Sequence, residues 1–438
     1  EGQLSEAAKY YQYFINQGFT DHRVFSHYGT ILKNLGKFKD AELLYRKAIQ
    51  IKPDFAEVHS NLGNILRDIG KLQDAENSYL KAIELKPDFA DALSNLGTIF
   101  RELGKLQDAE LSTRKAIELK PDFAEAHSNL GNILRDLDKL QDAENSYRKA
   151  IELKPDFADA LSNLGTIFRE LGKLQDAENS YRKAIELKPN WQTYFFYAAC
   201  LFERREFAIV KNKLLEAKSI ATKNHQKGYL HGALKATELA KNNLIDSQKL
   251  EIMHGARSLI NTNKNRLILH RQREDELLAY LYSVKNRELN HTIDARYGKG
   301  FCSQDLHFFD DQSPTISKLS DDLKRICKEA LGLKEIMIFE SFFNIFKSGS
   351  SAGATSHNHI GERDDPFGLT LYKYSLIYYL EVGDQRGDDP GKLKLYEPDE
   401  EILPANNMLI IIGADRNHSV SYLGRKDRVV ISANFFGF

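Results

Sequence analysis

A disulfide framework, a membrane span and a strong charge of either sign are all missing from this chain. Of its 438 residues only three are cysteine, Cys200, Cys302 and Cys327, an odd number set far apart. That argues against structural disulfides and for a reducing compartment, read here as the cytoplasm. No run of ~18 apolar residues occurs, so no membrane span is expected. The formal net charge of −1 gives no general attraction to nucleic acid or to an anionic membrane surface. The opening residues, Glu1 to Glu6, lack an apolar leader and read as the middle of a repeat, so the native product is expected to begin earlier. The length predicts two or three domains, and the apolar content is sufficient for real cores.

What is present, first, is a repeat. Lys-Pro-Asp-Phe recurs with Pro53, Pro87, Pro121 and Pro155, and Lys-Pro-Asn comes next with Pro189, every 34 residues. Between the prolines runs a helix–turn–helix pattern. In one unit Leu62 and Gly63 sit in the first helix, Gly70 in the turn, and Ala75, Tyr79 and Ala82 on one face of the second helix. Small residues allow close helix crossing, the aromatic fills the gap, and proline ends the unit. Period and positions resemble the tetratricopeptide repeat. The resemblance covers residues 1–220 and implies an all-α solenoid. Residues 4–17 read as a second helix without its partner, and 191–220 as a degenerate closing unit. A longer period of 68 is superposed, since His59–Asp68 recurs at His127–Asp136 and Leu93–Glu102 at Leu161–Glu170.

Asn61, Asn95, Asn129 and Asn163 occupy one position in successive first helices. First helices line the concave face of such solenoids, and a row of amides can both donate to and accept from an extended peptide backbone. This resembles the asparagine ladder in the repeat domain of O-linked N-acetylglucosamine transferases and implies a peptide or protein partner. The bland alternative is a polar residue tolerated on a solvated helix.

From about 190 to 285 the repeat fades while helical composition persists, at Lys211–Ala221, Lys227–Lys241 and Ser247–Asn261. The basic stretches Asn263–Arg266 and Arg271–Arg273 run into Glu274, Asp275 and Glu276, and read as solvated helix surface. His254 and His270 read as ordinary helix histidines. Trp191 is expected to pack the last repeat onto the next segment of the chain. From about Thr292 the pattern changes to turns, one amphipathic helix at Ile316–Leu331, and strands at Glu335–Phe346, Tyr374–Glu381, Lys392–Tyr396, Met408–Ile412 and Arg428–Phe436. Short strands with frequent turns suggest an antiparallel jelly-roll barrel.

This last part carries the candidate chemistry: His357-Asn-His359, then His418, then Arg428. Residues i and i+2 of a strand share a side, so His357 and His359 can reach one ion, with His418 as a third contact. The order His357-Asn-His359, Tyr378-Tyr-Leu380, Gly391-Lys-Leu393, Pro404, His418 and Arg428 resembles the iron- and 2-oxoglutarate-dependent dioxygenases, and among them the prolyl hydroxylases. The resemblance covers about the last hundred residues. It implies a double-stranded β-helix, with Fe(II) and 2-oxoglutarate as cofactors and His357 and His418 as metal ligands. It implies Arg428 on the distal carboxylate of 2-oxoglutarate, where a planar fork fits the group. Tyr379 would add a hydroxyl donor, and Ser432, two strand steps from Arg428, would face the same interior. Asn344 and Phe346 fall where relatives carry polar contacts to the co-substrate, and Phe346 cannot make one. This chain departs from the family at His359, where the relatives have an acid. Either three imidazoles hold the metal, or a carboxylate comes from Glu362, Asp364 or Asp365.

The reading is therefore a multidomain chain: a tetratricopeptide solenoid at 1–220, a helical connector at 221–290, and a double-stranded β-helix (jelly-roll) oxygenase domain at 291–438. The expected function is a 2-oxoglutarate- and Fe(II)-dependent hydroxylase acting on a peptide or protein held by the repeats. The alternatives are a repeat scaffold with a non-catalytic barrel, and a three-His dioxygenase that does not use 2-oxoglutarate.

Overall fold

The computed structural model describes residues 2–18, 20–241, 266–272, 274–284, 286–289, 300–303, 307–346, 352–357, 367–385, 391–396, 399–422 and 426–438. The chain divides into two compact units, Glu1–Lys188 and Pro189–Phe438. The sequence grouped 191–220 with the repeats.

The first unit is an all-α repeat solenoid. A lone helix α1 (Gly2–Asn16) precedes five pairs: α2 (His22–Asn34) with α3 (Phe38–Ile51), α4 (Ala56–Asp68) with α5 (Leu72–Leu85), α6 (Ala90–Glu102) with α7 (Leu106–Leu119), α8 (Ala124–Asp136) with α9 (Leu140–Leu153), and α10 (Ala158–Glu170) with α11 (Leu174–Leu187). Within a pair, a first-helix glycine lies under a second-helix tyrosine. A Cβ at Gly63 would come 2.8 Å from the Tyr79 ring, and one at Gly131 would come 2.7 Å from Tyr147. The tyrosine hydroxyl then bonds back to the first helix, Tyr79 to Asn64 and Tyr147 to Asn132, each at 2.8 Å. Burial pushes both phenols far above their ordinary range. The pair α6–α7 departs from this, because Thr113 replaces the tyrosine; its hydroxyl is fully buried and has no hydrogen-bond partner.

First helices also touch the next first helix, α4 with α6, α6 with α8 and α8 with α10. That contact puts them on the inside of the curve. Junctions are stapled by charge: Lys71 to Glu42 at 3.0 Å, Lys105 to Glu76 at 2.8 Å, Lys139 to Glu110 at 2.7 Å and Lys173 to Glu144 at 2.8 Å.

The second unit begins with α12 (Trp191–Glu203), α13 (Phe207–Ile220) and α14 (Asn224–Lys241). Trp191 is buried edge-on to Phe195, within this unit. Then come β1 (Arg266–His270), α15 (Asp275–Ser283), β2 (Asn286–Leu289), β3 (Gly300–Ser303), α16 (Pro314–Leu331), β4 (Ile336–Phe346), β5 (Ala352–His357), β6 (Lys373–Glu381), β7 (Leu393–Leu395), β8 (Glu400–Ile402), β9 (Met408–Gly413), β10 (His418–Tyr422) and β11 (Arg428–Gly437). They form two antiparallel sheets, β1-β9-β6-β11-β4-β3-β2 and β5-β10-β7-β8. One face of the large sheet buries Phe343, Tyr378 and Ile411 against Leu277 of α15 and Ile316 and Leu323 of α16. The other face buries Ile377, Tyr379 and Val430 in one cluster with Leu393, Leu395 and Tyr422 of the small sheet and its margins. Helix α16 is capped as its sequence dictates. Ser313 accepts from the Ile316 amide, Pro314 opens the first turn, and Gly332 closes the helix at φ 65°.

Several expectations need correcting. Arg266–His270 is a strand pairing with β9, not a helix surface, and His270 is exposed on it. Leu267-Ile-Leu269 is too short for periodicity to separate strand from buried helix, and the open edge of β9 decides it. Arg271 is buried, not solvated; its Nη2 pairs with Glu274 at 3.0 Å and Asp322 at 2.8 Å. The expected helix at 247–261 and His254 lie outside the described residues.

Candidate functional site

Alternate residues of a strand share a face. On β11 the face toward the small sheet carries Arg428, Val430, Ser432 and Asn434. The register places neighbours beside each in turn. Phe346 flanks Arg428; Asn344 and Tyr379 flank Val430; Phe342 and Ile377 flank Ser432; Glu340 and Ser375 flank Asn434. Between the sheets lies a cavity of about 40 Å³ lined by Asn344, Ser375, Tyr379, His418, Ser432 and Asn434 among others. Asn344 is 94 % buried (6 % exposed), lines this cavity, and its Oδ1 has no hydrogen-bond partner.

Arg428 is fully buried at the end of β11. Its Nε donates to the Val382 carbonyl at 3.1 Å and its Nη1 to the Gly391 carbonyl at 2.6 Å. The guanidinium carbon lies 4.4 Å from the Tyr422 ring centre and 5.9 Å from that of Tyr379. Such planar stacking suits arginine. Gly391 is required for this approach. It has φ +77°, and a Cβ there would fall 2.1 Å from Nη1. Burial pushes the Tyr379 phenol up to about 12, so it stays a hydrogen-bond donor at neutral pH.

His418 is buried at the start of β10, its Nδ1 3.2 Å from the Arg416 carbonyl. A carbonyl only accepts, so Nδ1 carries the proton and Nε2 keeps the lone pair that a metal ligand needs. Across the ladder His418 is the register partner of His357, the last residue of β5. His359, with Glu362, Asp364 and Asp365, lies outside the described residues. Among the described residues, no group of three or more His, Cys, Asp or Glu side chains is gathered as a metal cage.

The four repeat asparagines are half-buried. Asn95 Nδ2 donates to Asn64 at 3.5 Å, Asn129 to the Ser94 hydroxyl at 3.1 Å and Asn163 to Asn132 at 3.2 Å. Three of these amides thus spend a donor between adjacent first helices. Sequence reasoning also passed over a polar chain in the cavity wall. Ser375 Oγ donates to Asn434 Oδ1 at 2.7 Å, and Asn434 Nδ2 donates to Glu340 Oε2 at 2.8 Å. Its signal was available: a lone polar residue inside each of the apolar runs Tyr374–Leu376 and Ala433–Phe435.

The repeated glycine–tyrosine crossing, the stapled 34-residue period and the stacked first helices define a tetratricopeptide-repeat protein. The family described as the cilia and flagella-associated protein 70 C-terminal domain, a tetratricopeptide-repeat family, matches residues 12–232, and the chain belongs to it. No curated protein matches the chain. Among solved structures it is similar to MamA, with 28% identity over 36% of this chain and 94% of that one and a TM-score of 0.34. It is also similar to YrrB, described as a tetratricopeptide-repeat protein with an unusual peptide-binding site. There the identity is 21% over 45% of this chain and 98% of that one, with a TM-score of 0.36. A third is PilF of Pseudomonas aeruginosa, with 19% identity over 45% and 90% and a TM-score of 0.41. Among the described residues no helix is long and apolar enough to cross a membrane.

Proposed function

We propose that the chain is a repeat-based protein-binding scaffold whose second unit is an Fe(II)- and 2-oxoglutarate-dependent hydroxylase acting on the peptide or protein that the repeats hold. The sheet order supports a double-stranded β-helix. From β4 to β11 the chain alternates between the two sheets at every step except β7 to β8, an alternation that a double-wound jelly roll would produce.

The single observation that carries the hydroxylase reading is the ladder pairing of His357 with His418, which lines the cavity between the sheets. Register partners in an antiparallel ladder hold their Cα atoms ~4.5–5.5 Å apart, within reach of one ion. The residues fit the proposed groups. His418 has its tautomer fixed by Arg416, and the buried, unpartnered Asn344 suits a cavity that takes a polar ligand. His357, His359 and His418 would hold the metal. Arg428 would take the distal carboxylate, with the Tyr379 hydroxyl beside it and the Ser432 hydroxyl two strand steps further in. When bound, iron and 2-oxoglutarate supply the chemistry by which O2, 2-oxoglutarate and a substrate C–H bond become a C–OH bond, succinate and CO2. The protein's own part is to orient the dicarboxylate, exclude water between the sheets and present the substrate.

Adding Fe(II) and 2-oxoglutarate under anaerobic conditions should give a visible charge-transfer band. In Arg428→Ala that band should demand at least tenfold more 2-oxoglutarate, while bound iron is unchanged. Unchanged co-substrate dependence would remove Arg428 from this role. A colourless mixture and an iron-free dialysed protein would favour the second reading, a scaffold whose barrel does not catalyse. What favours that reading is that the matched family covers the repeats, and that Phe346, beside Arg428, offers no donor.

A further inference from the structure

The cavity changes polarity along its length. At the end nearer Arg428 it offers a donor, the Tyr379 phenol. The opposite end is built the other way. Glu340 can only accept, so it fixes the Asn434 amide with Nδ2 toward the carboxylate and Oδ1 toward Ser375. Ser375 spends its one proton on that Oδ1. Its oxygen therefore meets the cavity with lone pairs alone.

Position along the strands separates the two ends. Arg428 packs on Tyr422, and Tyr422 lies four residues from His418, roughly 13 Å along a strand. Ser432 lies the same four residues from Arg428, so His418 and Ser432 stand at one level. Ser375 and Asn434 come one step further from Arg428. A dicarboxylate held between Arg428 and a metal at His418, as the hydroxylase reading has it, would leave them free for substrate. Beyond them α14 closes the face. Tyr229 packs on Phe339 and Phe436, and the Lys373 ammonium lies 3.3 Å from the Tyr229 hydroxyl and 5.1 Å from the Phe339 ring centre. Among the described residues, the charged groups near this end include Glu340, tied to Asn434, and Lys373, seated on rings.

We propose that Ser375 and Asn434 form the subsite for the substrate group, and that the group is a nitrogen hydrogen-bond donor (a carboxamide, ammonium or guanidinium), not a prolyl ring. This rests on the hydroxylase reading for what is then done to that group. A prolyl ring would bury the Ser375 lone pairs unpaired, whereas an N–H satisfies them.

The test uses the full chain without metal, labelled with 15N in its asparagine side chains, and the probes formamide, guanidinium and formate. Formamide and guanidinium should shift the Asn434 amide signal, and formate should not. In Ser375→Ala the shift by formamide should fall at least fivefold. Glu340→Gln frees Asn434 to turn over, so formate should gain binding there. Formate shifting the native protein as strongly as formamide, or a Glu340→Gln chain with unchanged preference, would overturn the subsite. With iron and 2-oxoglutarate, peptides carrying Asn, Gln, Lys or Arg at a varied position should release succinate at least tenfold faster than the same peptide with Pro. Faster release from the Pro peptide would overturn the substrate class alone. Absence of the anaerobic chelate band would sink the hydroxylase reading, with the probe results then defining a donor-binding pocket of the scaffold.

Discussion

The two units reach stability by opposite routes. In the repeat unit every decisive contact is local or one period away: Gly63 under Tyr79, Lys71 on Glu42, α4 on α6. In the second unit the decisive contacts join distant segments, with Arg428 held by Val382 and Gly391, and His418 paired with His357. A fault in the first is therefore diluted over equivalent junctions, while a fault in the second falls on a structure that occurs once.

The largest expected effect tests that asymmetry. Gly391→Ala forces a Cβ into the Arg428 guanidinium at a left-handed φ, which should cost on the order of 3 kcal/mol and lower the melting temperature of the second unit. A melt within a degree of the native protein would show that the guanidinium moves aside freely. Acid is the matching stress on the repeats. The hydrogen bond from Lys139 holds the Glu110 carboxyl below the usual glutamate range. Burial pushes Glu42 and Glu144 up, but their Lys and Arg partners outweigh it and hold both below that range as well. Their stabilisation is complete above the ordinary glutamate range and is lost as pH falls through the depressed folded values. Helix content monitored by circular dichroism should melt progressively earlier as pH drops below 4.5, the usual glutamate value. A melt insensitive to pH down to 3 would remove the staples from the account.

Two smaller effects compare sister repeats directly. Thr113→Val removes an orphaned buried hydroxyl at nearly constant shape, and should be neutral or stabilising by about 1 kcal/mol in urea unfolding. A loss of stability would mean the hydroxyl finds a partner. Asp138 holds φ 59° at a turn where Gly36, Gly70, Gly104 and Gly172 sit in its sisters. Asp138→Gly should stabilise by ~0.5–1 kcal/mol, the smallest change here. Destabilisation would assign the Asp138 side chain a bond worth more than its backbone strain.

Legibility in the sequence runs along the same divide. The helix pairs declare themselves through repeated Gly, Ala, Tyr and Pro, because each position recurs and its environment recurs with it. In the second unit β4, β6, β9, β11 and α16 were legible from long apolar runs or a clear period. Strands β1, β2, β3, β5, β7, β8 and β10 run three to six residues; of these β7 was read from its own composition, and β5 and β10 only through their histidines. A strand that short is fixed by the neighbour whose edge it completes, not by its own composition. Ser375 and Asn434 escaped for a related reason. Each is one polar residue in an apolar run, and only the register of β6 on β11 makes them partners.

The double period of 68 residues has a consequence for how such a gene changes. Every junction repeats the same lysine–glutamate staple and the same close crossing of helices, so excising residues 69–136 would set Lys139 against Glu42 just as Lys71 is now. Unequal recombination between the near-identical segments could then lengthen or shorten the array by whole pairs of repeats and leave each surviving seam intact. Array length is free to drift in a lineage while the architecture of each step is inherited unchanged.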